Sequence, residues 1–329
     1  MGISIAPLGV GAWPWGSTWY WGYGKSYGED DVRGAFRASL DAGVTLFDTA
    51  ELYGRGKSER ILGRLAGELS SSGNGDTPMD SGPASEYGAC FRRNEGSGAA
   101  QPFIATKYMP YPWRWRTADV PRALKASLRR LGLERVDLYQ IHWPVVPARL
   151  RLRQWIEGLI RVHGEGLVGA VGVSNFDADL TKRTHELLSK AGIPLASNQL
   201  PYSLLDRHIE HEGLLDVCKD LGVTVIAYSP IAEGLLTGKY TPDNRPAGWR
   251  GRRLRKKVVQ AQPIVEALRE IAGRHEDKTP SQVALRWLIQ KGSVPIPGAK
   301  TAQQAADNAG ALGWALTDEE MPALDEVSA

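Results

Sequence analysis

A chain of 329 residues with 42% hydrophobic and 23% charged side chains and a net charge of +3 is too apolar to be disordered throughout and too weakly basic to name nucleic acid as its ligand. Its two cysteines, Cys90 and Cys218, make no CxxC or Cys/His spacing, which argues against a disulfide framework and a zinc site. No run approaches the roughly 18 apolar residues of a membrane span, and the first residues lack the pattern of a signal peptide, so a soluble protein of a reducing compartment is expected.

Strand-like runs rich in Val, Ile, Leu, Phe and Tyr fall near 5–12, 43–48, 102–106, 136–142, 167–173, 195–200, 223–228 and 293–297. Helical patterns separate them at 29–42, 57–68, 117–131, 147–164, 177–191 and 206–221, and a pair at 259–275 and 280–291 precedes the last strand. Eight strands, linked by crossovers long enough to return the chain, predict a closed (β/α)8 TIM barrel spanning 1–329 as one domain. An open doubly wound sheet is the competing arrangement, but it wants G-x-G-x-x-G between its first strand and helix. The literal match GEGLVG (164–169) leaves a helix and enters a strand, and in YGRGKSER Glu59 stands where the third glycine belongs. GLLTGKY has one residue too few between its glycines for a P-loop.

Two segments break the rhythm. Residues 67–101, dominated by Gly, Ser and Ala, read as a disordered insertion. Residues 241–257 set seven cations against Asp243 alone and read as a basic loop, either simply solvated, a flap over a phosphorylated cofactor, or a nucleic-acid or localisation signal, the last disfavoured because only one short stretch is basic.

Asp48, Tyr53, Lys107 and His142 each end or follow a strand-like run, in GVTLFDTAELYG, PFIATK and VDLYQIHW, so a barrel would gather them at the C-terminal ends of its strands. Singly they read as a helix cap, a half-buried ring, a rim charge and a core imidazole. Together, a carboxylate, a phenol, an ammonium and an imidazole can move a proton to or from a carbonyl oxygen. Lys107 beside Tyr53 would favour the phenolate and lower its pKa, Asp48 would hold Lys107, and His142 would polarise the carbonyl.

The motifs FDTAELYGRGKSERILG, ATKY, QIHW, VGVSNF, SNQLPYSLLDR, AYSP, LLTGKY and PIPGAK occur in an order that resembles the aldo-keto reductase superfamily. YPWRW and GALGWALTDEE are most similar to its plant-plastid and cyanobacterial, pyridoxal-reductase-like branch. The resemblance implies NADPH-dependent reduction of an aldehyde or ketone by direct hydride transfer, without metal and with Tyr53 as proton donor. It implies that Ser174, Asn175 and Gln199 bond the nicotinamide carboxamide, that Tyr228 stacks on its ring, that Ser229, Pro230, Ile231, Gly234 and Leu236 follow the pyrophosphate, and that Lys239 covers it. Gly298, Lys300, Thr301, Gln304, Asp307 and Asn308 match the adenosine segment, where Lys300 at a helix start suits a 2′-phosphate and so NADPH over NADH.

Glu233 departs from the pattern, because a carboxylate near the pyrophosphate repels it unless it points outward or pairs with the basic run. Of eleven tryptophans, Trp13, Trp113 and Trp143 are the candidates to wall a substrate pocket, while others could seal the barrel's ends. Some members of the superfamily serve as cofactor-sensing subunits of potassium channels, so a regulatory cofactor-binding role with little turnover is the alternative. The expected partner is a small carbonyl compound rather than nucleic acid or membrane, and the expected compartment is the cytoplasm or the chloroplast.

Overall fold

The computed structural model describes residues 5–72, 100–145, 148–246, 248–276 and 278–329. Eight parallel strands lie side by side in chain order: β1 (Gly9–Gly11), β2 (Leu46–Asp48), β3 (Phe103–Tyr108), β4 (Val136–Ile141), β5 (Val168–Ser174), β6 (Leu195–Pro201), β7 (Thr224–Tyr228) and β8 (Val294–Pro295). The Gly11 N–H donates to the Pro297 carbonyl at 3.0 Å and brings the last strand back to the first. A side chain at Gly11 would stand 2.8 Å from the Ile296 carbonyl, so this approach requires a residue without Cβ. The barrel expected from the strand-helix rhythm is the fold observed.

The helices are α1 (Thr18–Trp21), α2 (Glu29–Asp41), α3 (Lys57–Ser72), α4 (Asp119–Leu131), α5 (Ala148–Gly164) and α6 (Ala178–Ser189). They continue as α7 (His208–His211), α8 (Leu214–Asp220), α9 (Gly248–Arg274), α10 (Pro280–Gln290), α11 (Ala302–Ala309) and α12 (Glu320–Val327). The single helix expected over 206–221 is broken at Gly213, whose φ is 67°. Residues 67–72 continue α3 instead of opening an insertion, since Leu69 packs on the core and Glu68 pairs with Arg33 at 3.0 Å. The remainder of that expected insertion, 73–99, lies outside the described residues.

The basic run differs most from its expected form. From Gly248 onward it is the first part of α9 and not a flap loop. Gly251, Leu254, Val258 and Ala261 are buried at alternating three- and four-residue spacing, the period of a helix face, and the cations occupy the outer side.

Inside the barrel Leu46, Phe103, Ala105, Leu138, Ala196, Ile226, Val294 and Ile296 form an apolar plug. A larger cluster, with Phe36, Phe47 and Trp287, fills the space between strands and helices. Trp15 is completely buried there and donates its indole N–H to the Ala299 carbonyl at 2.7 Å, so it seals the barrel and does not face substrate. Towards the C-terminal ends of the strands the interior turns polar, with Asp48, Lys107, Gln140, Ser197 and Gln199 all buried. Buried polar groups are tolerable only when bonded to one another.

Candidate active site

Lys107 is fully buried and all three of its ammonium hydrogens are used. They go to Asp48 Oδ2, to the Thr49 carbonyl at 2.9 Å and to the Tyr53 hydroxyl at 3.3 Å. The other carboxylate oxygen of Asp48 accepts from Gln199 Nε2 at 2.8 Å and Gln140 Nε2 at 3.3 Å. His142 stands edge-on to Tyr53, with ring centroids 5.5 Å apart. Its backbone N–H on the Tyr108 carbonyl, at 2.8 Å, extends the β3–β4 pairing beyond the strand end and fixes where the imidazole emerges. The four residues separated in sequence are therefore one contiguous cluster.

Burial would draw the Lys107 ammonium down, but Asp48 and Tyr53 outweigh it and hold the group above its ordinary pKa. Tyr53 corrects an expectation. Burial pushes its phenol above the ordinary value, Lys107 pulls it down as expected, and burial prevails, so the group keeps its proton at neutral pH. Burial, then the Lys107 charge, lowers His142 to about 3, which leaves a neutral imidazole.

Tyr53 leads into a tight turn in which Gly54 and Arg55 are left-handed, with φ near 57° and 55°. Beneath that turn, Glu59 accepts from Thr106 Oγ1 at 2.7 Å and from Arg130 Nε at 2.5 Å, and anchors the start of α3 to β3. Glu51, which sequence reasoning passed over, accepts from the Met109 N–H at 2.6 Å and from both terminal nitrogens of Arg114. It ties the loop that carries Trp113 to the Tyr53 side of the site.

Across the barrel mouth, Ser174 Oγ donates to the Gln199 carbonyl at 2.8 Å, and Asn175 Nδ2 donates to Ser174 Oγ at 2.9 Å and the His142 carbonyl at 3.1 Å. Tyr228 donates its hydroxyl to Asn175 Oδ1 at 2.9 Å. These four residues form one bonded group, joined to the tetrad through Gln199 and Asp48. Backbone strain concentrates on the same side: Asn175 (φ 62°), Ser229 (52°), Ala232 (48°) and Glu233 (57°) are left-handed. Such positions cost about 1–3 kcal/mol each and gather where a backbone must meet a ligand.

Glu233 resolves its own difficulty. It accepts from the Tyr20 hydroxyl at 2.6 Å and pairs with Arg253, while Arg250 donates to its carbonyl at 2.6 Å. The carboxylate is thus neutralised by the basic run and held by Tyr20, a residue that sequence reasoning passed over. Lys300 and Arg250 both lie against the Trp21 ring, at 4.8 and 5.2 Å, and Lys300 meets no carboxylate among the described residues. Burial and then the charges of Arg250 and Lys239 pull Lys300 down to about 8.

Other expected contacts are distributed less simply. Pro230 is buried, Ile231 partly so, and Gly234 donates its N–H back to Ile231 at 2.9 Å. Leu236 is completely buried, and its N–H is engaged by the Ile231 carbonyl at 3.3 Å, so it supports the turn from the core side. Thr301 caps α11, Gln304 accepts from the Lys300 N–H at 2.9 Å, and Asn308 reaches the Gly298 carbonyl at 3.5 Å. Asp307 is held by Gln303 at 2.7 Å, and Lys239 is exposed beside Tyr240.

Among the tryptophans, Trp13 lies nearest the chemistry, 6.3 Å from Tyr53 and stacked on Tyr20 at 5.0 Å. Trp143 follows His142 and is half-exposed, whereas Trp113 stacks on Tyr111 at 4.7 Å and is 71% exposed. Trp249, from the segment expected to be a loop, closes an aromatic rim with Trp19 at 5.6 Å. Among the described residues no group of three His, Cys, Asp or Glu side chains could hold a metal ion, and no helix is long and apolar enough to cross a membrane.

The profile of the Aldo/keto reductase family matches residues 7–329. This chain belongs to that family. It is 37% identical over 328 residues to the chloroplastic pyridoxal reductase of Arabidopsis thaliana, covering 98% of this chain and 83% of the relative. It is 28% identical to the NADH-specific methylglyoxal reductase of Escherichia coli, covering 99% and 95%. A solved aldo/keto reductase from Klebsiella pneumoniae in complex with NADP and acetate superposes with a TM-score of 0.70 at 26% identity, covering 98% of this chain and 92% of that one. Family membership makes the chain an NAD(P)H-dependent oxidoreductase whose substrates are small carbonyl compounds.

The neutral state of His142 has a measurable consequence. Its folded pKa, about 3, lies below the unfolded value of 6.5, so the unfolded chain takes up the proton first. The stabilisation from keeping His142 neutral is complete above pH 6.5 and is lost as the pH falls towards 3. In chemical denaturation at a series of pH values, His142→Gln should lose less stability than the wild type as the pH falls from 6.5 towards 3, the difference growing by up to about 1.4 kcal/mol per pH unit. Parallel curves for the two proteins would contradict this.

Proposed function

We propose that this member of the family is an NADPH-dependent reductase that converts an aldehyde or ketone into an alcohol, with Tyr53 delivering the proton. One observation carries the reading: a fully buried ammonium whose three hydrogens reach a buried carboxylate, a backbone carbonyl and the Tyr53 hydroxyl. A phenol that accepts from Lys107 keeps its own hydrogen for another acceptor. As negative charge grows on a carbonyl oxygen, Tyr53 releases that hydrogen to it, and the nearby ammonium stabilises the phenolate left behind. Asp48 holds the ammonium in place. His142, neutral at working pH, offers a ring N–H to the same oxygen without adding a second cation beside Lys107.

When bound, the nicotinamide cofactor supplies the hydride, which no side chain can provide. The bonded group of Ser174, Asn175 and Gln199 suits the carboxamide, and Tyr228, tied to Asn175, suits the ring. The left-handed residues Ser229, Ala232 and Glu233 bend the backbone after β7 where a pyrophosphate would pass. Lys300, with Arg250 and Lys239 close enough to lower its pKa, favours a further phosphate and hence NADPH over NADH. Trp13 and Trp143 flank the reacting groups and suit a planar or aromatic carbonyl compound, with the loop of Trp113 held at the rim. The name of the Arabidopsis relative makes pyridoxal the first compound to try.

NADPH oxidation with a panel of aldehydes that includes pyridoxal should show turnover, and Tyr53→Phe should lower kcat by about 10² to 10⁴ while NADPH still binds. Tight NADPH binding with negligible turnover on every compound would favour a regulatory subunit instead. Lys300→Met should weaken NADPH binding about tenfold and leave NADH almost unchanged. Wild-type NADPH affinity should decline relative to NADH as the pH rises past about 8, where free Lys300 loses its charge. Equal effects on both cofactors would remove the assigned phosphate contact.

A further inference from the structure

Gln140 is a fully buried polar residue that the reading above does not use. It sits two positions before His142 on β4, in register with Lys107 on one side and Gly172 on the other. Its Nε2 donates to Asp48 Oδ1 at 3.3 Å, and its Oε1 accepts from Ser197 Oγ at 3.3 Å. Gly172 makes this arrangement possible, since a methyl group there would lie 2.3 Å from Ser197 Oγ and 3.2 Å from Gln140 Cγ. A chain of side chains therefore runs from Ser197 through Gln140 and Asp48 to Lys107 and Tyr53, across strands β6, β4, β2 and β3.

The barrel interior also holds an apolar plug, and a leucine of similar size at position 140 would avoid burying an amide. A polar residue here needs a reason beyond packing. Asp48 Oδ1 has two amide donors, and the second of them, Gln199, is the one assigned to the nicotinamide carboxamide. Were Gln199 to turn to that ligand, its hold on Asp48 would weaken, and Gln140 is the amide that would remain.

We propose that Gln140, itself oriented by Ser197, is a positioning residue for proton transfer, fixing Asp48 so that Lys107 stays directed at Tyr53 while Gln199 serves the cofactor. This rests on the carbonyl-reductase reading.

The test compares wild type, Gln140→Leu and Gln140→Glu by kcat and KM across pH and by NADPH affinity from tryptophan quenching. Gln140→Leu should lose about tenfold in kcat, the scale of one hydrogen bond to a charged group, with KM and NADPH affinity within about twofold of wild type. A glutamic acid at 140 would face Asp48, Lys107, Tyr53, His142 and the neutral side chains of Ser197 and Gln199. While protonated it donates to Asp48 as glutamine does, and when ionised it repels Asp48. Gln140→Glu should therefore approach wild-type kcat near pH 6 and fall away as the pH rises, a profile that loss of packing would not produce. It retains volume and donor, so it carries the test even if the leucine variant does not fold. Wild-type kcat in Gln140→Leu, or equal losses in both variants at every pH, would overturn the inference alone. A wild type without turnover on any carbonyl would take the underlying reading with it.

Discussion

One buried ion pair organises the molecule. Asp48 and Lys107 come from neighbouring regions of the barrel wall, are 2% and 0% exposed, and can persist there only because every charge has a partner. Removing two ions from water costs several kcal/mol apiece, and a pair seldom recovers this in stability alone. The barrel offsets it with a full complement of neutral contacts: two amides on one carboxylate oxygen, and a backbone carbonyl and a phenol on the ammonium. A carboxylate and an ammonium bonded this fully are held in place before any ligand arrives, which is the condition under which electrostatic stabilisation of a developing charge is most effective.

The same constraint joins the two halves of the site. Gln199 belongs to the tetrad through Asp48 and to the group across the barrel mouth through Ser174 and Asn175. Asn175 reaches back to the His142 carbonyl, which ties the backbone that carries the imidazole to the same group. Further out, the strained turn after β7 is anchored by Glu233 to Tyr20, Arg250 and Arg253, which links the first loop of the barrel to the start of α9. A carboxylate that looked hostile to a phosphate in sequence is a structural fastener in space, and among the described residues it leaves Lys300 beside Trp21 without a carboxylate.

The fold was legible because its signal is periodic: strand-length apolar runs alternating with helical patterns admit few closed arrangements. The tetrad was legible because a barrel converts sequence position at strand ends into spatial proximity. What escaped was whatever depends on partners far away in the chain. Tyr20 and Glu233 are separated by 213 positions and nothing local marks them as a pair. Charge dominates the composition of the basic run, although Leu254, Val258 and Ala261 carry a helical face between the arginines. Trp15 and Trp13 sit two residues apart, yet one is sealed in the core and the other stands at the mouth, a distinction set by the turn between them. The direction of the Tyr53 shift also depended on burial, which sequence does not supply.

Denaturant unfolding combined with carbonyl turnover for Lys107→Met, Asp48→Leu and the double variant tests most directly whether the Asp48–Lys107 pair is kept for proton transfer and not for stability. Each single change strands an unpaired buried charge and should cost about 3–5 kcal/mol. The double variant should regain much of that loss and still reduce no carbonyl. A double variant as unstable as the singles, or one that turns over at the wild-type rate, would contradict the account.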